Sequence, residues 1–205
     1  MFSKVLIANR GAIAVRIIRT LKKLNITSVA VYNEADKDSL HVMLADESYS
    51  LGEGSVSQTY LDQDKIIEIA KSSKAQAIHP GYGFLSENPD FVKRLESENI
   101  VFLGPTSAQM ISFGLKPEAR AIAQKAGVPL PPGTSLLESA SEAVKAANEI
   151  GYPVMLKSTA GGGGIGMQRC YSEQELMDAF EKVKRLAKSN FSSAGVFLEK
   201  FSEKA

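Results

Sequence analysis

One cysteine, Cys170, in 205 residues excludes an internal disulfide and fits a reducing compartment. The two histidines, His41 and His79, fall in no pattern of His, Cys, Asp and Glu with metal-ligand spacing. No Ser-His-Asp or Cys-His arrangement can be drawn either. No apolar run reaches the roughly 20 residues that span a bilayer. The opening Met1-Phe2-Ser3-Lys4 runs straight into a strand-like segment without the anatomy of a signal peptide. Lysine plus arginine (24) and aspartate plus glutamate (23) cancel to a net charge of +1, so bulk charge points to neither a nucleic acid nor a membrane surface as partner. What remains is an ordinary globular composition, 44% apolar and 23% charged, long enough for one or two domains. A cytoplasmic location is the expectation.

The first hundred residues alternate two patterns. Val5-Leu6-Ile7-Ala8 is a short apolar run broken by Asn9-Arg10-Gly11. Residues 12 to 23 then place Ile13, Val15, Ile17, Ile18 and Leu21 on one helical face and Arg16, Arg19, Lys22 and Lys23 on the other. Further strands are expected at 28–32, 47–51, 75–79 and 100–103, with helices at 62–72 and 88–98. Strand and helix in alternation argue a parallel sheet covered on both faces. This first domain is placed at residues 1–104. Residues 105–130 read as a helical linker, with helices near 107–113 and 117–126 ended by Gly127-Val128-Pro129. Residues 131–205 read as a small α+β unit: an edge strand at 133–135, a helix at 139–149 capped by Ser139 or Ser141, strands at 154–158, 166–171 and 196–201, and a helix at 173–188. The fold class is therefore α/β, a parallel-sheet domain followed by a smaller α+β one.

The strongest chemical signal is Lys157-Ser158-Thr159-Ala160-Gly161-Gly162-Gly163-Gly164-Ile165-Gly166-Met167, between two expected strands. Glycines let backbone amides approach phosphate oxygens, and a run of four makes a loop able to close over a nucleotide. Lys157 leads into that loop and can put a point charge on the same phosphates. No Gly-Lys-Ser/Thr follows and no helix opens there, so this is not a Walker loop. The competing reading is a hairpin that binds nothing. Lys116, in Leu115-Lys116-Pro117, is a second candidate phosphate contact or a solvated surface residue. Glu199 and Lys200 end the last strand, where a carboxylate could accept a hydrogen bond from an adenine amino group or serve only as half of a surface charge pair.

Two loops of the first domain follow strand C-termini, where ligands of open α/β sheets sit. They are Asn9-Arg10-Gly11 and His79-Pro80-Gly81-Tyr82-Gly83-Phe84-Leu85-Ser86-Glu87-Asn88. The glycines here could serve only to turn the chain, and His79 reads as a packed, hydrogen-bonded residue rather than a base. A dinucleotide-binding domain is the obvious competitor. Asn9-Arg10-Gly11-Ala12-Ile13-Ala14 lacks two of the three glycines that would admit a pyrophosphate.

Together, Val5 to Gly11, His79 to Asn88, Phe102-Leu103-Gly104-Pro105 and Lys157 to Met167 resemble the biotin carboxylase component of biotin-dependent carboxylases, over essentially the whole chain. The resemblance implies an ATP-grasp fold: an N-terminal Rossmann-like domain, a lid domain at 131–205, and a C-terminal catalytic domain. It implies that bicarbonate and ATP give carboxyphosphate, and that biotin on a carrier domain is then carboxylated. It places Lys116, Lys157, Gly163 and Gly164 on ATP phosphates, Glu199, Lys200 and Ser202 around adenine, and Tyr82 and Gly83 near biotin and carboxyphosphate. Mg²⁺ ligands, bicarbonate-binding residues and the catalytic arginine come later in the family's sequence. No catalytic or metal-ligating residue is therefore expected within these 205, and alone they are expected to be inactive. The implied partners are a biotin carboxyl carrier domain and a carboxyltransferase domain, with a homodimer as a further assembly. Ile165, Gly114-Leu115-Lys116 and Ala194 to Phe201 look like urea carboxylase, which converts urea to allophanate. Acetyl-CoA, propionyl-CoA and pyruvate carboxylases are the alternatives, and a non-catalytic nucleotide-binding module is the reading from another class.

Overall fold

A computed structural model describes residues 2–114, 116–159, 166–190 and 195–203, with side chains to 185 in the helix that ends at 190. The chain divides into two compact units, Met1–Ile111 and Ser112–Ala205.

In the first unit β1 (Lys4–Ile7), α1 (Gly11–Lys23), β2 (Thr27–Tyr32), α2 (Leu40–Leu44), β3 (Glu47–Ser50), α3 (Gln63–Ser72), β4 (Ala77–His79), α4 (Pro89–Ser97) and β5 (Val101–Phe102) follow one another. The strands form one parallel sheet in the order β3-β2-β1-β4-β5. Alternation along β1 explains why both faces are covered. Val5 and Ile7 join Ala14, Ile17, Ile18 and Leu21 of α1 in one cluster. Leu6 and Ala8 point the other way, into a cluster with Ile66 and Ile67 of α3 and Phe91, Val92 and Leu95 of α4. Each large side chain buried in this way contributes about 1.5–3 kcal/mol. Asp62 and Asn88 accept hydrogen bonds from the first free amides of α3 and α4 and so set where those helices begin.

The segment between β2 and β3 holds two features that the periodicity does not signal, a 3₁₀ turn at Glu34–Asp36 and the five-residue α2. Both are too short to display a repeat.

Helix α5 (Ser107–Gly114) precedes the second unit's α6 (Lys116–Lys125), α7 (Ala140–Ile150), β6 (Val154–Ser158), β7 (Met167–Cys170), α8 (Glu173–Asn190) and β8 (Val196–Lys200). The sheet is antiparallel, ordered β7-β6-β8. One face, with Val154, Leu156, Cys170, Val196 and Leu198, packs on Ala143 and Ala147 of α7 and Leu176, Phe180 and Val183 of α8. Burial pushes the Cys170 thiol up to about 11, so it behaves as a small apolar residue. Ser139, rather than Ser141, caps α7 through the amide of Glu142. The expected edge strand at 133–135 does not form. Residues 131–137 run beside β8 through two isolated bridges, Gly133 to Glu199 and Leu137 to Val196. The two bridges differ in register by one residue, so the segment between them cannot pair as one regular strand. Among the described residues no helix is long and apolar enough to cross a membrane.

Candidate functional site

Two constellations stand out, one in each unit. In the first, the sheet order reverses direction at β1 and β4, the switch point at which open α/β sheets take ligands. The loops after these strands are tied together by buried Asn9. Its Nδ2 donates to the carbonyls of Pro80 and Tyr82, both at 2.8 Å, and the amide of Ala8 donates to the His79 carbonyl at 3.0 Å. Gly81 has φ +68°, and a Cβ there would lie 2.7 Å from Asn9 Nδ2. Asn9 and Gly81 therefore determine one another. The His79 Nδ1 accepts from the Gly81 amide at 3.0 Å, and burial holds the imidazole below its ordinary pKa. The histidine is thus a neutral, packed acceptor. The result is a braced turn that leaves Tyr82 largely in solvent (68% exposed) and Gly83 at φ +65°.

Beside it, Arg10 Nη1 pairs with Asp36 Oδ2 at 2.9 Å and its guanidinium lies over the Tyr60 ring. The Tyr60 hydroxyl donates to the same Asp36 oxygen at 2.7 Å, and its ring stacks on Phe84. Burial alone would raise the Asp36 carboxyl. Tyr60 and then Arg10 outweigh it and hold the carboxyl below the usual range. Phe84 thereby links the turn at 79–84 to the 3₁₀ turn at 34–36. The sequence signals Asn9 and Arg10 only as members of a loop, and it does not signal Asp36 or Tyr60 at all.

In the second unit the face of the β7-β6-β8 sheet turned away from α7 and α8 carries the charges. Lys157 on β6 and Glu199 on β8 point to that face, because Met155 stands opposite Glu199 and Lys157 is two residues along. Lys157 Nζ donates to Glu199 Oε2. The other oxygen, Oε1, accepts from Arg120 Nη1 of α6 at 2.6 Å. Arg120 Nη2 reaches the Pro131 carbonyl at 2.9 Å. These side chains are mostly shielded: Glu199 is 15% exposed, Arg120 17% and Lys157 26%. Burial alone would raise the Glu199 carboxyl. The hydrogen bond and charge of Lys157, followed by those of Arg120, bring it below the usual range instead.

The structure thus brings Lys157 and Glu199 together. Lys200 faces elsewhere, with Nζ on the carbonyls of Gly151 and Tyr152, both at 2.9 Å. Lys116 opens α6, one turn before Arg120, and Ser202 is exposed just beyond β8. Gly163 and Gly164 lie outside the described residues. Arg120 is the member of this constellation to which the sequence reading assigns no role. Among the described residues no group of three or more His, Cys, Asp and Glu side chains is placed to hold a metal ion.

Residues 1–110 match the family described as biotin carboxylase, N-terminal domain, and residues 116–205 the family described as carbamoyl-phosphate synthase L chain, ATP binding domain. Urea amidolyase of Saccharomyces cerevisiae is 58% identical over 205 residues, which is all of this chain and 11% of that protein. Urea amidolyase of Lachancea kluyveri is 57% identical, again over all of this chain and 11% of the relative. Biotin carboxylase 2 of Bacillus subtilis is 52% identical over all of this chain and 46% of its own length. Among solved structures, the Campylobacter jejuni biotin carboxylase in complex with β-γ-ATP superposes with a TM-score of 0.92 at 42% identity, covering 99% of this chain and 46% of that one. The Hydrogenobacter thermophilus 2-oxoglutarate carboxylase biotin carboxylase domain, a dimer with MgADP, ADP and bicarbonate, gives 0.88 at 44% identity, covering 99% and 45%. This chain therefore spans less than half the length of each of these relatives.

Proposed function

Because this chain belongs to the biotin carboxylase family, we propose that it forms the nucleotide-handling part of an enzyme that carboxylates carrier-bound biotin with ATP and bicarbonate. Bicarbonate attacks the γ-phosphorus of ATP, giving carboxyphosphate and ADP. N1 of biotin then takes the carboxyl group, losing its proton while phosphate leaves. These residues contribute binding and positive charge. Lys157 donates to phosphate oxygens, Lys116 supplies a second cation, and Gly163 and Gly164 bring backbone amides to the same oxygens. Glu199 accepts from the adenine amino group, while Lys200 and Ser202 line the base. Tyr82 and Gly83, held by Asn9, present the biotin and carboxyphosphate side. Mg²⁺, when bound, neutralises phosphate charge through ligands expected from the rest of the enzyme. The proposed layout is a Rossmann-like domain at 1–104, a helical linker at 105–130 and a lid at 131–205.

The observation that carries this reading is the lysine–carboxylate pair on the charged face of the second sheet, at the strand end where the glycine run begins. Identity of 57–58% to two urea amidolyases over the whole chain supports urea as the final acceptor, with allophanate as product. A carrier domain and a carboxyltransferase domain would complete that reaction. The test is ATP cleavage by the complete enzyme with free biotin and bicarbonate, then with urea. Cleavage that needs bicarbonate and is stimulated by urea is expected. A folded, complete protein without bicarbonate-dependent cleavage would instead favour a non-catalytic nucleotide-binding module.

A further inference from the structure

One carboxylate holding two cations poses a difficulty for a lysine that must reach a phosphate. If Lys157 leaves Glu199 for a nucleotide, a mostly buried carboxylate loses a partner, and leaving such a charge unpaired is costly. Arg120 removes the difficulty. It sits on the other oxygen, so its bond and that of Lys157 do not compete. It is held from behind by the Pro131 carbonyl, and Gly133 leaves room for it: a Cβ at 133 would lie 2.7 Å from Arg120 Nη2. The backbone at 131–134 is fixed along β8 in turn. The Lys200 amide donates to the Pro132 carbonyl at 2.7 Å, and the Thr134 amide to the Leu198 carbonyl at 2.9 Å. Arginine suits this post, because its planar fork serves the carboxylate and the carbonyl at once and keeps its charge at any working pH.

We propose that Arg120 is a positioning residue for ATP: as the standing counter-charge of Glu199, it lets Lys157 exchange that carboxylate for a nucleotide phosphate and keeps Glu199 aimed at the base. This rests on the reading that Lys157 binds phosphate. Without Arg120, Lys157 is the one cation left on Glu199 among the described residues and is withheld from the nucleotide. Arg120 touches no reacting atom, so its loss falls on ATP binding and not on turnover.

The test is steady-state kinetics of bicarbonate-dependent ATP cleavage in the complete enzyme. Arg120→Met raises KM for ATP about tenfold, the scale of one charge-assisted hydrogen bond, and leaves kcat within about twofold. Arg120→Lys, which keeps the charge but gives up the fork between Glu199 and the Pro131 carbonyl, raises KM less than Arg120→Met does. In a Glu199→Gln background, where Lys157 has no carboxylate to leave, Arg120→Met adds less than about threefold. If Arg120→Met does not fold, Arg120→Gln, neutral but still a donor, takes its place with the same expected rise. A wild-type KM in the neutral variant, or an undiminished effect in the Glu199→Gln background, overturns the proposal. Lys157→Ala separates the two levels of the argument. Weakened ATP binding by Lys157→Ala beside a silent Arg120→Met removes only the role of Arg120, whereas wild-type affinity in Lys157→Ala removes the phosphate assignment and this inference with it.

Discussion

At the scale of single residues, the first unit's turn depends on a reciprocal fit. Asn9 needs a residue without a Cβ at position 81, and Gly81 needs a small polar partner that satisfies two carbonyls. Gly81→Ala places a side chain in the left-handed region against Asn9, and a loss of about 1–3 kcal/mol in unfolding free energy is expected from denaturant titration. Asn9→Ala leaves the Pro80 and Tyr82 carbonyls without their donor and should cost about 1–3 kcal/mol. Unchanged midpoints in both variants would show that the brace is not a stabilising feature. The histidines give a pH signature. Burial lowers the pKa of His41 and of His79, so each stabilises the fold while neutral. That contribution is complete above the unfolded value of about 6.5 and is lost as pH falls through the lower folded value. The melting temperature should therefore decline on acidification below about pH 6.5, before most carboxylates titrate. A flat profile down to about pH 5 would contradict the neutral, packed assignment.

At the scale of elements, much was legible because apolar periodicity is strong. Val5 to Ala8 alternates between two helix layers, and Ile17, Ile18 and Leu21 mark the buried stripe of α1. The helix expected at 88–98 is α4, and the structure shows Asn88 capping it with Pro89, which needs no amide partner, at its first position. Asn88→Ala should cost about 1 kcal/mol, read as a lowered denaturation midpoint. Helix α2 and the 3₁₀ turn at Glu34–Asp36 were not legible, since three to five residues cannot display a period. The expected strand at 133–135 gave way to two isolated bridges whose register on β8 differs by one residue, a shift that no residue pattern announces. The Arg120–Glu199 pair was hidden for another reason: the residues are 79 apart in sequence and meet only through the register of β6 on β8 and the path of 131–134.

At the scale of the whole molecule, each of the two units carries one constellation. The first offers a braced turn at a sheet switch point, and the second a charged sheet face at the end of β6. The family follows from the match over residues 1–110, and the proposed nucleotide role rests on the second unit's Lys157, Glu199 and Arg120. Lys116 stands at a helix start, whereas Lys157 leads directly into the glycine run, so the two lysines should not be equal. The most direct measurement is calorimetric titration of ATP into the complete enzyme, its Lys157→Ala variant and its Lys116→Ala variant. Lys157→Ala is expected to weaken binding by about 1.5–3 kcal/mol, and by more than Lys116→Ala does. Equal affinity in wild type and Lys157→Ala would contradict the account.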